Sequence, residues 1–132
     1  MIESNLTIRH SRSFGEVEIS GPVVDLEELA NALGCDGGPI GARAADDPNW
    51  YFGYLLGVQI RWVANGRVDI SIDELRRILE FTGSEDSMAI LAGNIRDLCR
   101  EGVPGEHMHV EYFPDHFYLA ESGISLIFSR ID

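Results

Sequence analysis

Apolar residues stand at every second position in several short runs of this chain, and this period of two constrains the fold more than any other feature. Leu6 with Ile8, and Val17 with Ile19, alternate with polar residues, which predicts two strands that pair as a hairpin. A longer run, "VQIRWVANGRVDISI" (residues 58–72), alternates on both sides of an Asn-Gly pair. That dipeptide readily adopts the positive φ angles of a tight turn, so a second hairpin is predicted there.

Three other segments have helical spacing. In "DLEELANALG" (residues 25–34), Asp25 is placed to cap the first turn and Gly34 to end the helix. The segment "DELRRILEF" (residues 73–81) predicts a second helix, and a longer one is predicted from about Ser84. The second helix would bury Leu75, Ile78 and Leu79, and the third would bury Met88, Leu91, Ala92, Ile95, Leu98 and Cys99.

These elements predict one α+β domain over residues 1–132, with an antiparallel sheet of five to six strands and two to three helices packed on one face. A chain of 132 residues is long enough to bury a hydrophobic core. The segments "GEVEIS" (15–20) and "GRVDIS" (66–71) each precede a leucine-rich acidic stretch. This likeness leaves open a duplicated strand-helix unit and a chance similarity between two strands with alternating charge.

The net charge of the chain limits the classes of partner that it can bind. Twenty-two acidic residues oppose ten arginines, which gives a formal net charge of -12. Such a field repels nucleic acid and favours encounter with a cationic protein, although the same acidity also fits a surface charged only for solubility. The sequence has neither a signal peptide pattern nor an apolar run long enough to cross a membrane, so we expect a cytoplasmic protein without membrane association.

The run "HMHVE" raises the question of a metal site. His107, His109 and Glu111 recur at every second position, so on a strand they share one face, opposite Met108 and Val110. Two imidazoles and one carboxylate are an acceptable ligand set for Zn²⁺ or Fe²⁺, with His116 or Asp115 as a further ligand. The alternative is a solvent-exposed strand face without metal, and the spacing alone does not separate the two.

The chain contains no recognised catalytic motif, so we predict no enzyme and no cofactor outside the metal hypothesis. Cys99 falls on an apolar helix stripe, and Cys35 lies in a loop without a motif. A glycine-rich connection leads into four closely spaced aromatic residues next to Asp46 and Asp47. Exposed aromatic side chains beside acids are typical of protein interfaces, whereas core packing is the alternative for most of these rings.

Residues 82–128 resemble the immunity proteins of bacterial polymorphic toxin systems, which are encoded beside their toxins. The resemblance lies in the order of a "TGS" entry, a helix with alanine and leucine, the "HMHVE" strand, and a "SG" turn before a last apolar strand. It implies an α+β protein that binds and blocks one cognate toxin without catalysis, and the acidity suggests a basic toxin. A further possibility is an acidic protein that mimics nucleic acid and captures a DNA-binding protein. It would differ from a toxin inhibitor mainly in the identity of its partner. From charge and aromatic character, the predicted contact residues are Asp46, Asp47, Trp50, Tyr51, Glu111 and Asp115.

Overall fold

The computed structural model describes residues 2–11, 13–35, 37–44 and 53–132. In this part of the chain, nine strands form one sheet, and two helices pack against it. The strands are β1 (Ile2–Ser11), β2 (Glu16–Gly21), β3 (Ile40–Arg43), β4 (Tyr54–Leu55), β5 (Gly57–Trp62), β6 (Asp69–Asp73), β7 (Ile78–Gly83), β8 (His107–Val110) and β9 (Ser125–Arg130). The helices are α1 (Val23–Leu33) and α2 (Glu85–Glu101).

The sheet is mixed and curls into a half-barrel in the order β6-β7-β5-β3-β1-β2-β9-β8, with the short β4 added to β1. The pairs β1–β3, β5–β7 and β2–β9 are parallel. The predicted antiparallel sheet of five to six strands with two to three helices on one face is therefore wrong. Parallel neighbours lie far apart in sequence, and local periodicity does not indicate which distant strands become neighbours.

The predicted hairpin over residues 58–72 is also wrong, because β7 lies between β5 and β6. Residues 73–81 form the end of β6, a turn over residues 74–77 and the first part of β7 instead of a helix. The Asp73 carboxylate accepts a hydrogen bond from the Arg76 N–H (3.0 Å), and Arg77 adopts a positive φ of 58° in this tight turn. Leu75 is consequently 97% exposed, whereas Phe81 faces the core at strand spacing.

The first hairpin, both remaining helices and the last two strands are confirmed. Helix α1 begins directly after Pro22, so Asp25 is not its cap. Instead, the Asp25 Oδ1 atom accepts a hydrogen bond from the Asn5 N–H (3.1 Å) and ties α1 to β1. The Ser84 hydroxyl caps α2 by accepting from the Ser87 N–H (3.2 Å).

The core lies between the sheet and the two helices, which also pack on each other. Neither helix in the described part of the chain is long and apolar enough to cross a membrane. The apolar stripes of both helices are buried, as the sequence predicts. These stripes are Leu26, Leu29, Ala30 and Leu33 of α1, and Met88, Leu91, Ala92, Ile95, Leu98 and Cys99 of α2.

The structure contains a repeated hairpin-helix unit. In β1–β2, Thr7 pairs with Ser20, and in β6–β7, Asp69 pairs with Thr82, so that equivalent residues lie 62 positions apart throughout both hairpins. The buried residues of α1 and α2 follow the same shift, as Leu26 and Met88 illustrate. Because β2 corresponds to β7 and not to β6, the likeness between "GEVEIS" and "GRVDIS" does not reflect this repeat.

The repeat continues into the strands that follow each helix. Strand β3 pairs antiparallel with β5, and β8 pairs in the same way with β9. Each of these later strands then joins the other unit, because β5 lies parallel to β7 and β9 lies parallel to β2. Strand β8 therefore takes the place in the second unit that β3 takes in the first. The second edge of β3 is covered by β1, whereas β8 ends the sheet in the described residues.

Candidate functional site

The sequence-predicted contact and ligand residues divide into two groups in the structure. Asp46, Asp47, Trp50 and Tyr51 lie outside the described residues. The others are His107 and His109 on β8, and Glu111, Asp115 and His116 in the connection between β8 and β9. The candidate site is therefore built from this strand and the loop that follows it.

Strand β8 has the predicted alternation of faces. His107 and His109 are exposed, Val110 is buried, and Met108 packs partly against the core. Glu111 is exposed as well. Because the strand ends at Val110, Glu111 begins the loop and does not extend the face that carries the two histidines.

These residues do not form the ligand set of the metal hypothesis. The imidazole rings of His107 and His109 have centroids 6.1 Å apart and planes at 81°. His116 is buried, and its Nδ1 atom accepts hydrogen bonds from the backbone N–H groups of Tyr118 (3.3 Å) and Leu119 (3.1 Å). That nitrogen has no lone pair left for a metal. Within the described residues, no group of three or more His, Cys, Asp or Glu side chains is placed to hold a metal ion.

Cys99 does not have the surroundings of an activated nucleophile. Cys99 is buried on the apolar stripe of α2, as the sequence predicts, and burial raises the pKa of its thiol. A raised pKa keeps the thiol protonated at neutral pH, and the thiolate is the reactive form. Cys35 is exposed just after α1.

Residues 111–119, which we call the aromatic loop, place two phenylalanine rings beside a buried histidine. The ring of Phe113 lies 4.5 Å from the His116 ring, and the ring of Phe117 stacks on it at 5.7 Å with a plane angle of 2°. Tyr118 contacts the same imidazole edge-on at 4.6 Å. Phe113 is 58% exposed and Phe117 is 71% exposed, so both rings project from the surface on either side of His116.

Hydrogen bonds hold the aromatic loop to two other elements. The Asn94 side chain of α2 donates to the Tyr118 hydroxyl (3.0 Å). The Val68 N–H donates to the Tyr118 carbonyl (2.7 Å), and the Ala120 N–H donates to the Val68 carbonyl (2.8 Å). The two backbone bonds form a short parallel bridge between Val68 and Leu119, just before β6. The two exposed rings are thus held by a fixed backbone, which lowers the entropy lost when they bind a partner.

The aromatic loop also carries two carboxylates. Glu111 and Asp115 are exposed, and the aromatic loop contains no Lys or Arg. Asp115 adopts a positive φ of 66°, a conformation that Asp and Asn tolerate better than most residues. The sequence interpretation selected these two acids but missed Phe113 and Phe117. The available signal was a Pro-Asp turn flanked by phenylalanines immediately after a strand.

We expect His116 to make the stability of the fold dependent on pH. Burial lowers the pKa of His116 from its ordinary value of 6.5, and Arg67 acts in the same direction. Below about pH 6.5 the unfolded chain therefore binds more protons than the folded protein, and the free energy of unfolding should fall as the pH decreases. Above this range His116 should contribute no pH dependence.

Urea unfolding between pH 5.5 and 8 measures this effect. His116→Asn is the matched variant, because its side-chain oxygen can accept the same backbone N–H groups but does not titrate. We expect the decrease below pH 6.5 to be smaller in this variant than in the wild type. An identical pH dependence in both proteins would show that His116 is not its source.

Residues 78–131 match the family model of Immunity protein 32. The match spans β7, α2, β8, the aromatic loop and β9. It confirms the resemblance of residues 82–128 to immunity proteins of toxin systems and extends it to include β7. No curated protein and no solved structure shows a significant match to the chain.

Proposed function

We propose that this protein is a cytoplasmic immunity protein that binds and neutralises one cognate toxin without catalysis. The observation that carries the proposal is the pair of exposed rings, Phe113 and Phe117, fixed around His116 within the segment that matches the immunity family. Large exposed rings on a rigid backbone are typical of residues that dominate the energy of protein interfaces.

Charge supports a basic partner. Glu111 and Asp115 are exposed in the same loop as the rings, and the whole chain carries a net charge of -12. An acidic rim around apolar anchors raises the rate of association with a basic surface, while the anchors determine how long the complex lasts. In this mechanism the aromatic loop covers the toxin's active cleft and excludes its substrate.

The remaining proposed contacts, Asp46, Asp47, Trp50 and Tyr51, lie outside the described residues, in the sequence between β3 and β4. Residues 44–56 join β3 to β5, and residues 111–124 join β8 to β9, which are the corresponding strands of the repeat. Both connections combine aromatic residues with acids. We therefore keep these four residues in the proposed contact surface.

The decisive experiment titrates the purified protein against the toxin domain encoded by the neighbouring gene. If the protein acts by binding, the toxin should form a 1:1 complex and lose its activity completely at one equivalent. Complete loss at a small fraction of an equivalent would indicate catalytic inactivation instead. The absence of any complex would refute the proposed function.

Removing the acidic rim should slow complex formation. Glu111→Gln with Asp115→Asn removes two charges while keeping side-chain size and the tolerance of position 115 for its positive φ. We expect the association rate constant at low salt to fall by about three- to tenfold, with a weaker dependence on salt and little change in dissociation.

Stopped-flow binding at several salt concentrations measures these rates. The matched control is Glu3→Gln with Glu28→Gln, which removes the same charge from two exposed positions on β1 and α1. Equal slowing in both variants would mean that only the overall charge matters and that the rim has no local role.

A further inference from the structure

The outer edge of β8 presents unpaired backbone groups. The Arg130 N–H of β9 donates to the Glu106 carbonyl (3.0 Å), and hydrogen-bonded residues alternate along an antiparallel ladder. Met108 and Val110 therefore direct their backbone groups toward β9, as their pairing with Phe128 and Leu126 requires. The N–H and C=O groups of His107 and His109 point away from the sheet, and no described strand pairs with them.

A groove beside this edge is lined by carboxylates. It lies between α2 and β8, and its wall contains Asp97, Glu101 and Glu106 but neither Lys nor Arg. Asp97 and Glu101 are exposed and stand four residues apart, so they lie on the same side of α2. Met108, which packs partly against the core, lines the groove, and so does His107 from the opposite face of β8, so the groove is not confined to one face of the strand.

By the repeat, the outer edge of β8 corresponds to the edge of β3 that is paired in the first unit. Strand β3, the counterpart of β8, pairs with β5 on one side and with β1 on the other. By the same repeat β6 corresponds to β1, but β6 lies at the opposite end of the sheet, so β8 has no described strand partner on its outer side. The outer edge of β8 is therefore unpaired in the described residues, whereas the corresponding edge of β3 is paired with β1.

We propose that a basic, extended segment of the bound toxin pairs with the outer edge of β8 as an added strand. This inference rests on the proposed function and specifies how the partner is recognised. Alternate side chains of the added strand would enter the groove beside Asp97 and Glu101, where Lys or Arg is favoured. The other side chains would lie beside His107 and His109.

Charge favours this occupant over a second copy of the chain. Pairing two β8 edges would also continue the sheet, but it would bring two acidic grooves together on molecules that each carry a net charge of -12. Like charges placed opposite each other destabilise a strand pair, whereas a basic segment neutralises the groove.

Amide hydrogen exchange tests the pairing directly. In the complex with the inactivated toxin domain, the N–H groups of His107 and His109 should exchange at least about tenfold more slowly than in the free protein. Unchanged exchange in a formed complex would overturn the strand pairing but leave the proposed function intact. Slow exchange that depends on the concentration of the free protein would instead identify a second copy as the occupant and overturn the proposal.

Two substitutions at one position separate the backbone from the side chain. His109→Pro removes an outward N–H group and keeps the bonds to β9, whereas His109→Ala removes only the imidazole. We expect the proline variant to bind the toxin domain about 10- to 100-fold more weakly and the alanine variant less than about threefold more weakly. Equal binding by the two folded variants would contradict backbone pairing.

A second pair of variants avoids any change in the sheet. Asp97→Arg with Glu101→Arg reverses the charge of the groove, and Glu3→Arg with Glu28→Arg makes the same change in net charge elsewhere at exposed positions. Affinity for the toxin domain should fall at least about tenfold more in the groove variant. Equal losses would overturn the groove as the site of the basic side chains. If the wild type does not bind the toxin domain at all, both this inference and the proposed function fail.

Discussion

Replacing Phe113 and Phe117 together by alanine should weaken binding to the cognate toxin by about 100-fold or more. Both rings are largely exposed, yet the loop that carries them is held by a hydrogen bond from Asn94 to the Tyr118 hydroxyl and by backbone bonds between Val68 and residues 118 and 120. Truncating an aromatic anchor at the centre of an interface typically costs 2 kcal/mol or more, which corresponds to about 30-fold in affinity. The losses from two anchors in one loop need not add fully, so we expect about 100-fold or more for the pair and not the product of two separate losses.

Calorimetry or surface plasmon resonance with the toxin domain would measure this loss. The effect should appear mainly in the dissociation rate, because apolar anchors act after the partners have met. Leu75→Ala is the matched control, because Leu75 is 97% exposed but lies away from the aromatic loop. Leu75 follows the last residue of β6, whereas Val68, which holds the loop, precedes the first. If the double variant folds and binds like the wild type, the aromatic loop is not the interface.

The second large effect concerns the fold and should appear at Phe81. This side chain is fully buried in β7, which lies between β5 and β6 in the sheet. Phe81→Ala should lower the free energy of unfolding by about 3–5 kcal/mol, because it removes a large apolar side chain and leaves a cavity. Leu75→Ala should change it by less than about 0.5 kcal/mol, since an exposed side chain loses little on truncation.

Urea unfolding of both variants distinguishes the strand from the helix that the sequence predicts for residues 73–81. In that helix Leu75 would be buried, and its truncation would cost about 2–5 kcal/mol. A large loss of stability in Leu75→Ala would therefore contradict the turn over residues 74–77 and the strand β7 that follows it.

The candidate site was only partly predictable from its residues. The alternation in "HMHVE" correctly indicated that His107 and His109 face outward, since a strand places neighbours on opposite faces. It also suggested His116 as a ligand, whereas the folded loop buries that ring and occupies its Nδ1 atom with two backbone N–H groups. The exposure of Phe113 and Phe117 depends on how the loop attaches to Val68 and Asn94, and no local pattern records those contacts.

The sequence by itself determined the elements whose signal is local. The first hairpin, α1, α2 and the strands β8 and β9 follow from periodicity and from residues such as Ser84 and Gly102 that bound a helix. The helix predicted for residues 73–81 is wrong because Leu75, Ile78 and Leu79 fit a helical stripe as well as they fit a turn followed by a strand. Only packing between β5 and β6 decides in favour of the strand.

Tertiary structure alone decided which strands are neighbours. Strand β2 lies parallel to β9, and Glu16 pairs with Ser125 although more than 100 residues separate them. Such a contact is stabilised by burial of both strands in a shared core, a property of the whole fold that neither segment carries by itself. The same assembly relates the two hairpin-helix units and leaves β8 at the end of the sheet. The partner surface proposed for this protein arises from that arrangement.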